Sequence, residues 1–244
     1  MKRLLLIHIC LLTFSLMSIS WVRPTENHNL VLATLHEHIL NHTTDLSEVS
    51  ALYNTIGLEE KGLSEKAFQY AYKGYMNLLR KKIIKEPGYL TICDFSQSSN
   101  NKRLYVVDMN NNELVMNTYV AHGCNSGAEF ATHFSNKPSS RQSSLGFYVT
   151  QNTYSGEHGL SLRIEGLERG FNDKALKRNI VVHGADYIEE SWLKNNNYMG
   201  RSYGCPAVPD NQRNELINTI KGGTCLFIYY PSTGYLKTSK LIND

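Results

Sequence analysis

The chain has 244 residues, of which 41% are hydrophobic, 10% aromatic and 19% charged, with a formal net charge of +3. That is enough apolar material for a sizeable core, and it excludes a disordered tail, a collagenous or coiled-coil rod and a small disulfide-stapled peptide. Twenty-five basic residues stand against 22 acidic ones with no dense basic stripe beyond Arg80-Lys81-Lys82, which speaks against nucleic acid as a partner.

Lys2 and Arg3 precede a mostly apolar run from Leu4 to Ile19, and Ser18-Ile19-Ser20 supplies small residues at a cleavage point before Trp21. This pattern predicts a secretory signal over residues 1–20, with an uncleaved anchor as the alternative. The run is short for a membrane span and is diluted by His8, Thr13, Ser15 and Ser18. Cleavage removes two cations and no acid, leaving 23 basic against 22 acidic residues. The mature chain is therefore expected to be nearly neutral, without a stable membrane span, and exported to the periplasm or cell envelope. Four cysteines remain after cleavage: Cys93, Cys124, Cys205 and Cys225. In an oxidising compartment an even count invites two disulfides, but if one of the four is a working thiol, at most one bridge can form. A Cys93–Cys225 bridge is one possibility; the pairing stays open.

Residues 21–86 form a helical N-terminal region. Leu30, Leu32, Leu35, Ile39 and Leu40 recur at roughly helical spacing, and a second helix is predicted from Glu65 to about Leu79 with Ser64 as its N-cap. The apolar face of that second helix is Phe68, Tyr72, Tyr75, Leu78 and Leu79, with Tyr70 off it. After Pro87-Gly88, residues 87–244 read as strands and turns. The predicted strands are Tyr89–Phe95, Leu104–Asp108 and Glu113–Met116 about an Asn110-Asn111-Asn112 turn, Leu145–Thr150, Leu160–Ile164, Asn179–Val182 and Thr224–Tyr230. Asp210 caps a short helix whose apolar face includes Leu216, Ile217 and Ile220, and Gly222-Gly223 ends it. The mature chain is thus a helical leader followed by a mostly β domain of ordinary size.

The densest chemical constellation is Val181-Val182-His183-Gly184-Ala185, followed by Gly200-Arg201-Ser202-Tyr203-Gly204-Cys205-Pro206. A strand ending in His-Gly holds an imidazole on a rigid support, and some twenty residues later a cysteine follows a glycine in a turn. A cysteine at its unperturbed pKa is only a few per cent thiolate at neutral pH, so it needs a base within reach. Gly204 lets backbone approach a substrate carbonyl. Pro206 has no N–H, so oxyanion donors on this turn must come from Tyr203, Gly204 and Cys205. Packing residues in a plain turn are the competing reading of the same pattern.

The segment resembles the catalytic domain of the YkuD-like L,D-transpeptidases, whose signature is His-Gly, a loop, then Ser/Thr-His-Gly-Cys; here the second half reads Ser202-Tyr203-Gly204-Cys205. Asp210, the Leu216–Ile220 helix and Gly223-Thr224-Cys225-Leu226-Phe227-Ile228 follow as in that family, and Ser143 to Tyr148 matches its upstream strand. Val120-Ala121-His122-Gly123, Phe134-Ser135-Asn136, His158 to Leu162, Gly170-Phe171-Asn172 and His183 to Tyr187 are similar to a branch, the murein L,D-transpeptidase catalytic domain family. The resemblance covers about residues 89–231.

It implies an L,D-transpeptidase-like β-sandwich with short helices. It also implies an exported cysteine acyltransferase that acts on peptidoglycan stem peptides and makes 3→3 cross-links through a Cys205 thioester. Carried over, Cys205 is the nucleophile, His183 the general base and Gly184 the residue whose carbonyl orients the imidazole. The N–H groups of Tyr203, Gly204 and Cys205 form the oxyanion hole, and no metal or organic cofactor is required. Two departures stand out: Tyr203 replaces the motif histidine, and Pro206-Ala207 replaces a usual substrate-side contact. Arg201 is a candidate replacement for that contact, with Ser202, His122 and His158 as further substrate-facing candidates and Asp186–Met199 as an enlarged loop over the site. His122, Cys124, His133 and His158 fit no zinc-ligand spacing, so no metal site is assigned. With water as acceptor the enzyme would be an L,D-carboxypeptidase or endopeptidase. The readings outside this class are a non-catalytic wall-binding module and an unrelated secreted cysteine peptidase.

Overall fold

The computed structural model describes residues 45–84 and 88–244. The expected export signal and the Leu30–Leu40 spacing lie outside the described residues. Helix α1 (Leu46–Ile56) starts at Asp45, whose carboxylate accepts from the Ser47 N–H at 2.9 Å, and stops at Gly57, φ 71°. Helix α2 (Glu65–Arg80) starts at Ser64 as expected, the hydroxyl accepting from the Ala67 N–H at 3.2 Å. Its predicted apolar face is buried in full, and Tyr70, off that face, stacks on Tyr229 with ring centroids 6.1 Å apart.

Eight strands follow: β1 (Tyr89–Asp94), β2 (Leu104–Asp108), β3 (Glu113–Thr118), β4 (Gly146–Gly156), β5 (Gly159–Gly166), β6 (Val181–Ala185), β7 (Ala207–Pro209) and β8 (Cys225–Tyr229). They form one hydrogen-bonded order, β3-β2-β1-β8-β4-β5-β6-β7. The β1–β8 and β6–β7 pairs are parallel and the other pairs antiparallel. The fold is mostly β with short helices, and its longer helices lie on the N-terminal side, which is the class the sequence implied. The predicted turn at Asn110–Asn112 pairs Asp108 with Glu113. The β1–β8 register sets Cys93 opposite Ile228 and Cys225 opposite Leu90, three residues apart along the strands and so on opposite faces of the sheet. Both are buried free thiols here, and the Cys93–Cys225 bridge does not form.

Three short helices were not legible in the sequence. Helix α3 (Glu190–Leu193) sits in the loop after β6; α5 (Thr233–Thr238) and α6 (Lys240–Asn243) close the chain, beyond the expected α4 (Arg213–Ile220). At four to six residues they carry no periodicity to read. The last two are tied down by a buried carboxylate: Glu168 accepts from the Phe147 N–H at 2.8 Å, the Tyr235 hydroxyl at 2.7 Å and the Ser239 hydroxyl.

The core lies where α2 meets β4 and β8. Phe147 and Phe227 are register partners on those strands and stack at 4.1 Å. Gly74 of α2 rests directly on the Phe147 ring, so a Cβ there would come within 2.0 Å of Cζ. The helix therefore approaches the sheet more closely than any side chain would permit. Replacing Gly74 by alanine gains about 1 kcal/mol of helix propensity but overpacks an aromatic stack. The expected net effect in urea unfolding is a loss of about 1–3 kcal/mol.

Candidate active site

Strand β6 carries His183 near its centre, and the parallel partner β7 places Ala207 opposite it. Cys205 lies in the turn two residues before β7, and the His183 N–H donates to Pro206 O at 3.3 Å, so the backbone next to the thiol is bonded to the residue that carries the imidazole. The rung is reinforced from the other side of β7, where the Ala121 N–H donates to Ala207 O at 2.7 Å, and further back, where the Cys124 N–H donates to Ser202 O at 2.7 Å. The turn before β7 is held on both flanks.

His183 is 4% exposed, and its Nδ1 lies 2.9 Å from the Gly184 carbonyl. A carbonyl can only accept, so Nδ1 carries the hydrogen and Nε2 is left with its lone pair, the tautomer a base needs. Burial, and then the neighbouring His158, pull the imidazole pKa below its ordinary 6.5, against the Gly184 bond, which raises it. His158, at the tip of the β4–β5 hairpin, is exposed and stacks on His183 with ring centroids 4.5 Å apart and planes 22° from parallel. Of the predicted substrate-facing residues it is the one against the base.

The Cys205 thiol donates to Asn179 O at 3.7 Å. Burial raises its pKa above the ordinary thiol value of 9.0, while the Val181 N–H and the Arg178 cation pull it back. Both shifts favour the neutral forms, so the resting pair is thiol and imidazole rather than thiolate and imidazolium.

Three expectations about the surrounding residues need correcting. Ser202 does not face substrate: it is buried, and its hydroxyl donates to Cys205 O at 2.6 Å while accepting from the Gly204 N–H at 3.0 Å. It is the residue that folds the turn, in the way short hydroxyl side chains compete for nearby backbone. The same bond occupies the Gly204 N–H, which leaves Tyr203 and Cys205 as the turn's open backbone donors among the described residues. Gly204 itself sits at φ +121°, a conformation that explains the glycine. His122 is 0% exposed and also cannot face substrate. Its Nδ1 accepts from Arg103 Nη2 at 2.7 Å, and burial together with that cation pushes its pKa down to about 3. It stays neutral inside the domain, where Arg103 also donates to Val120 O and Gln97 O. Tyr203, by contrast, is 70% exposed with Arg141 over its ring, so the departure from the motif histidine leaves the turn's backbone untouched.

Arg201 donates to Gly127 O at 2.9 Å and lies over the Tyr198 ring. It lines a pocket of about 540 Å³ together with Cys124, Tyr187, Trp192, Tyr198 and the exposed stretch Asn195–Asn197. This is the enlarged loop the sequence predicted. Tyr187 links pocket and thiol: burial and then the nearby Cys205 push its phenol up to about 12. Among the described residues no three His, Cys, Asp or Glu side chains converge as a metal-ligand set, and no helix is long and apolar enough to cross a membrane.

Arg178 and Asn179 were missed by the sequence reading. Both belong to the turn before β6, a 3₁₀ segment Leu176–Arg178 capped by Asn179 in the left-handed region, φ 55°. An Arg-Asn pair ahead of an apolar strand carries no signal of its own, because its proximity to Cys205 arises only when β6 and β7 pair.

A strand-borne imidazole with a free Nε2, its backbone bonded to the turn that carries a thiol, defines a site suited to acyl transfer. The chain belongs to the L,D-transpeptidase catalytic domain family, whose model matches residues 59–229. That span takes in α2 as well as the sheet and both halves of the His-Gly and Ser-x-Gly-Cys pattern. Similar solved structures include an L,D-transpeptidase from Mycobacterium smegmatis (12% identity, TM-score 0.35, 58% of each chain covered). Bd1075 of Bdellovibrio bacteriovorus (18%, 0.37, 58% of this chain and 47% of that one) is another. So is the helical cell shape determining protein Pgp2 of Campylobacter jejuni (12%, 0.39, 68% and 57%). These likenesses are too distant to carry an argument, and the chain spans between 47% and 58% of the length of those three chains. No curated protein matches the sequence.

The two pKa directions set the pH behaviour. The lowered pKa keeps His183 neutral from below pH 6.5 upward, and the raised pKa keeps the Cys205 thiol mostly protonated up to pH 9.0. Alkylation of Cys205 by iodoacetamide, followed by peptide-resolved mass spectrometry, is expected to keep rising past pH 9. An alkylation plateau already reached at pH 6 would indicate a resting thiolate–imidazolium pair instead.

Proposed function

We propose that this protein is an exported L,D-transpeptidase of the cell envelope that acts on peptidoglycan stem peptides, with residues 1–20 as its export signal and Cys205 as its nucleophile. The observation that carries the reading is the His183 Nδ1–Gly184 O bond at 2.9 Å, which leaves Nε2 free on a residue whose N–H is bonded to the carbonyl next after Cys205, within the span matched by the family.

In the first half-reaction Cys205 Sγ attacks the carbonyl between the third stem residue and the terminal D-Ala, and Nε2 of His183 takes the thiol proton. A C–S bond forms, the oxyanion accepts from the Cys205 and Tyr203 N–H groups, and each well-placed donor contributes about 3 kcal/mol. The C–N bond then breaks, D-Ala leaves with the proton held by His183, and a thioester remains. In the second half-reaction an acceptor amine attacks the thioester, a new C–N bond forms, and the amine proton returns through His183 to the thiolate. The product is a 3→3 cross-link. A pocket of about 540 Å³ lies beside the turn, with Tyr187, Trp192, Tyr198 and Arg201 on its walls, a volume that suits a second stem peptide as acceptor.

The test is incubation of the full chain with disaccharide-tetrapeptide and an excess of a free D-amino acid, read by mass spectrometry. Exchange of the terminal D-Ala is expected, with Cys205→Ala abolishing it while circular dichroism stays unchanged. Turnover retained in that variant refutes the nucleophile assignment. Net loss of D-Ala without exchange identifies water as the acceptor.

A further inference from the structure

The turn that carries Cys205 is short of positive potential. One of its three backbone donors, the Gly204 N–H, is bonded to Ser202 Oγ. The base beside it is buried and stacked on a second imidazole. His183 becomes a cation only once it has taken the thiol proton, and Arg201 is turned to Gly127 O, so the negative charge that develops on Sγ, and then on the carbonyl oxygen, meets two neutral backbone dipoles and no permanent countercharge on the turn itself.

Arg178 supplies one. Its Nη2 lies 3.3 Å from the point where a Gly204 Cβ would stand, and the Gln142 carbonyl lies 2.8 Å from the same point. The guanidinium is held there by four neutral acceptors: Nη1 donates to Ser135 O (2.8 Å) and Ser144 Oγ (2.5 Å), and Nη2 to Gln142 O (2.6 Å) and Ser140 Oγ (3.2 Å). All four Nη hydrogens are thus committed, which leaves no fork for docking a substrate carboxylate. Among the described residues the ion pairs are Lys81–Asp244, Lys102–Glu190 and Arg213–Asp210, so no carboxylate neutralises Arg178. A half-buried guanidinium bonded only to neutral groups keeps its charge unpaired and only partly screened by water. Cys205 follows Gly204 directly, and its thiol reaches Asn179 O, one residue on from Arg178, at 3.7 Å.

We propose that Arg178 is a positioning residue of the reaction: clamped by the 135–144 segment beneath the Gly204 turn, it provides the fixed positive charge that stabilises the Cys205 thiolate and then the tetrahedral oxyanion. This rests on the reading of Cys205 as nucleophile. The other titratable groups around the turn are His183 on β6, with His158 behind it from the β4–β5 hairpin, Tyr187 after β6, Tyr203 on the turn itself with Arg141 over its ring, and Arg201. Beneath Arg178, Tyr148 of β4 is buried and donates to Ser144 O at 2.9 Å. Arg201 is turned to Gly127 O and Arg141 to the exposed Tyr203 ring, so Arg178 is the one permanent cation set against the Gly204 backbone.

The experiment is the pH dependence of Cys205 alkylation in the full chain, resolved by peptide mass spectrometry so that Cys124 does not contribute. Arg178→Gln is expected to move the alkylation midpoint up by about one pH unit or more. It should also lower D-amino-acid exchange at pH 7 about tenfold, with activity recovering as pH rises. Arg178→Lys is expected to keep the midpoint near that of the parent. The double variant Ser140→Ala with Ser144→Ala loosens the clamp while leaving the charge, and should shift the midpoint by much less than Arg178→Gln. An unmoved midpoint in Arg178→Gln overturns the proposal and makes Arg178 a loop clamp only. So does an equal shift in the serine double variant. Because alkylation needs no stem peptide, this readout stands apart from the exchange assay: failure of exchange in the parent protein would count against the proposed function, not against the role of Arg178.

Discussion

The parallel rung that sets His183 opposite Ala207 is the constraint on which the chemistry of this protein depends. Strand β7 is three residues long, too short to hold a place by its own hydrogen bonds. It is held by being sandwiched, with β6 on one side and the Ala121 bridge on the other. That rung, with the His183 N–H donating to Pro206 O, ties the backbone of the Cys205 turn to the strand that carries the imidazole. A one-residue slip of β7 would shift the turn by about 3.3 Å along β6.

Around that rung the protein works against charge at rest. The imidazole is buried, its Nδ1–H committed to Gly184 O, and stacked on His158; the thiol is half-buried and turned to Asn179 O. Keeping both groups neutral avoids the cost of burying an ion pair before substrate arrives. It also means that stabilisation must be available when charge does appear, from the Tyr203 and Cys205 N–H groups and from the surrounding field. The Ser202 hydroxyl illustrates the compromise: it shapes the turn by taking the Gly204 N–H, and so leaves that donor committed inside the turn.

Much of the scaffold was legible from the sequence because its signals are local. Ser64 as cap of α2, the asparagine turn between β2 and β3, and the apolar strand β8 each announce themselves within a few residues. The short helices α3, α5 and α6 were not legible, since a single turn has no periodicity and is stabilised by tertiary contacts such as those of Glu168 with Tyr235 and Ser239. At the site the split is similar. His183, Gly184 and Cys205 stand in a recognisable pattern, whereas His122 has the right motif and the wrong exposure: buried Arg103, nineteen residues earlier, binds its ring inside the domain.

What the sequence by itself determined is the inventory and its order: a thiol after a glycine, an imidazole at the end of a strand, a proline that removes one donor, and a domain with enough apolar residues to hold them. Tertiary structure alone decided which hydrogen bonds those groups had already spent. Ser202 and Gly204 are committed to each other, and Arg178, with no motif around it, is set beneath the turn with its charge uncompensated. The reason is physical. Residue type and spacing fix what a group can donate, accept or carry, but desolvation and hydrogen-bond saturation depend on segments that meet only when β6, β7 and the 135–144 loop come together.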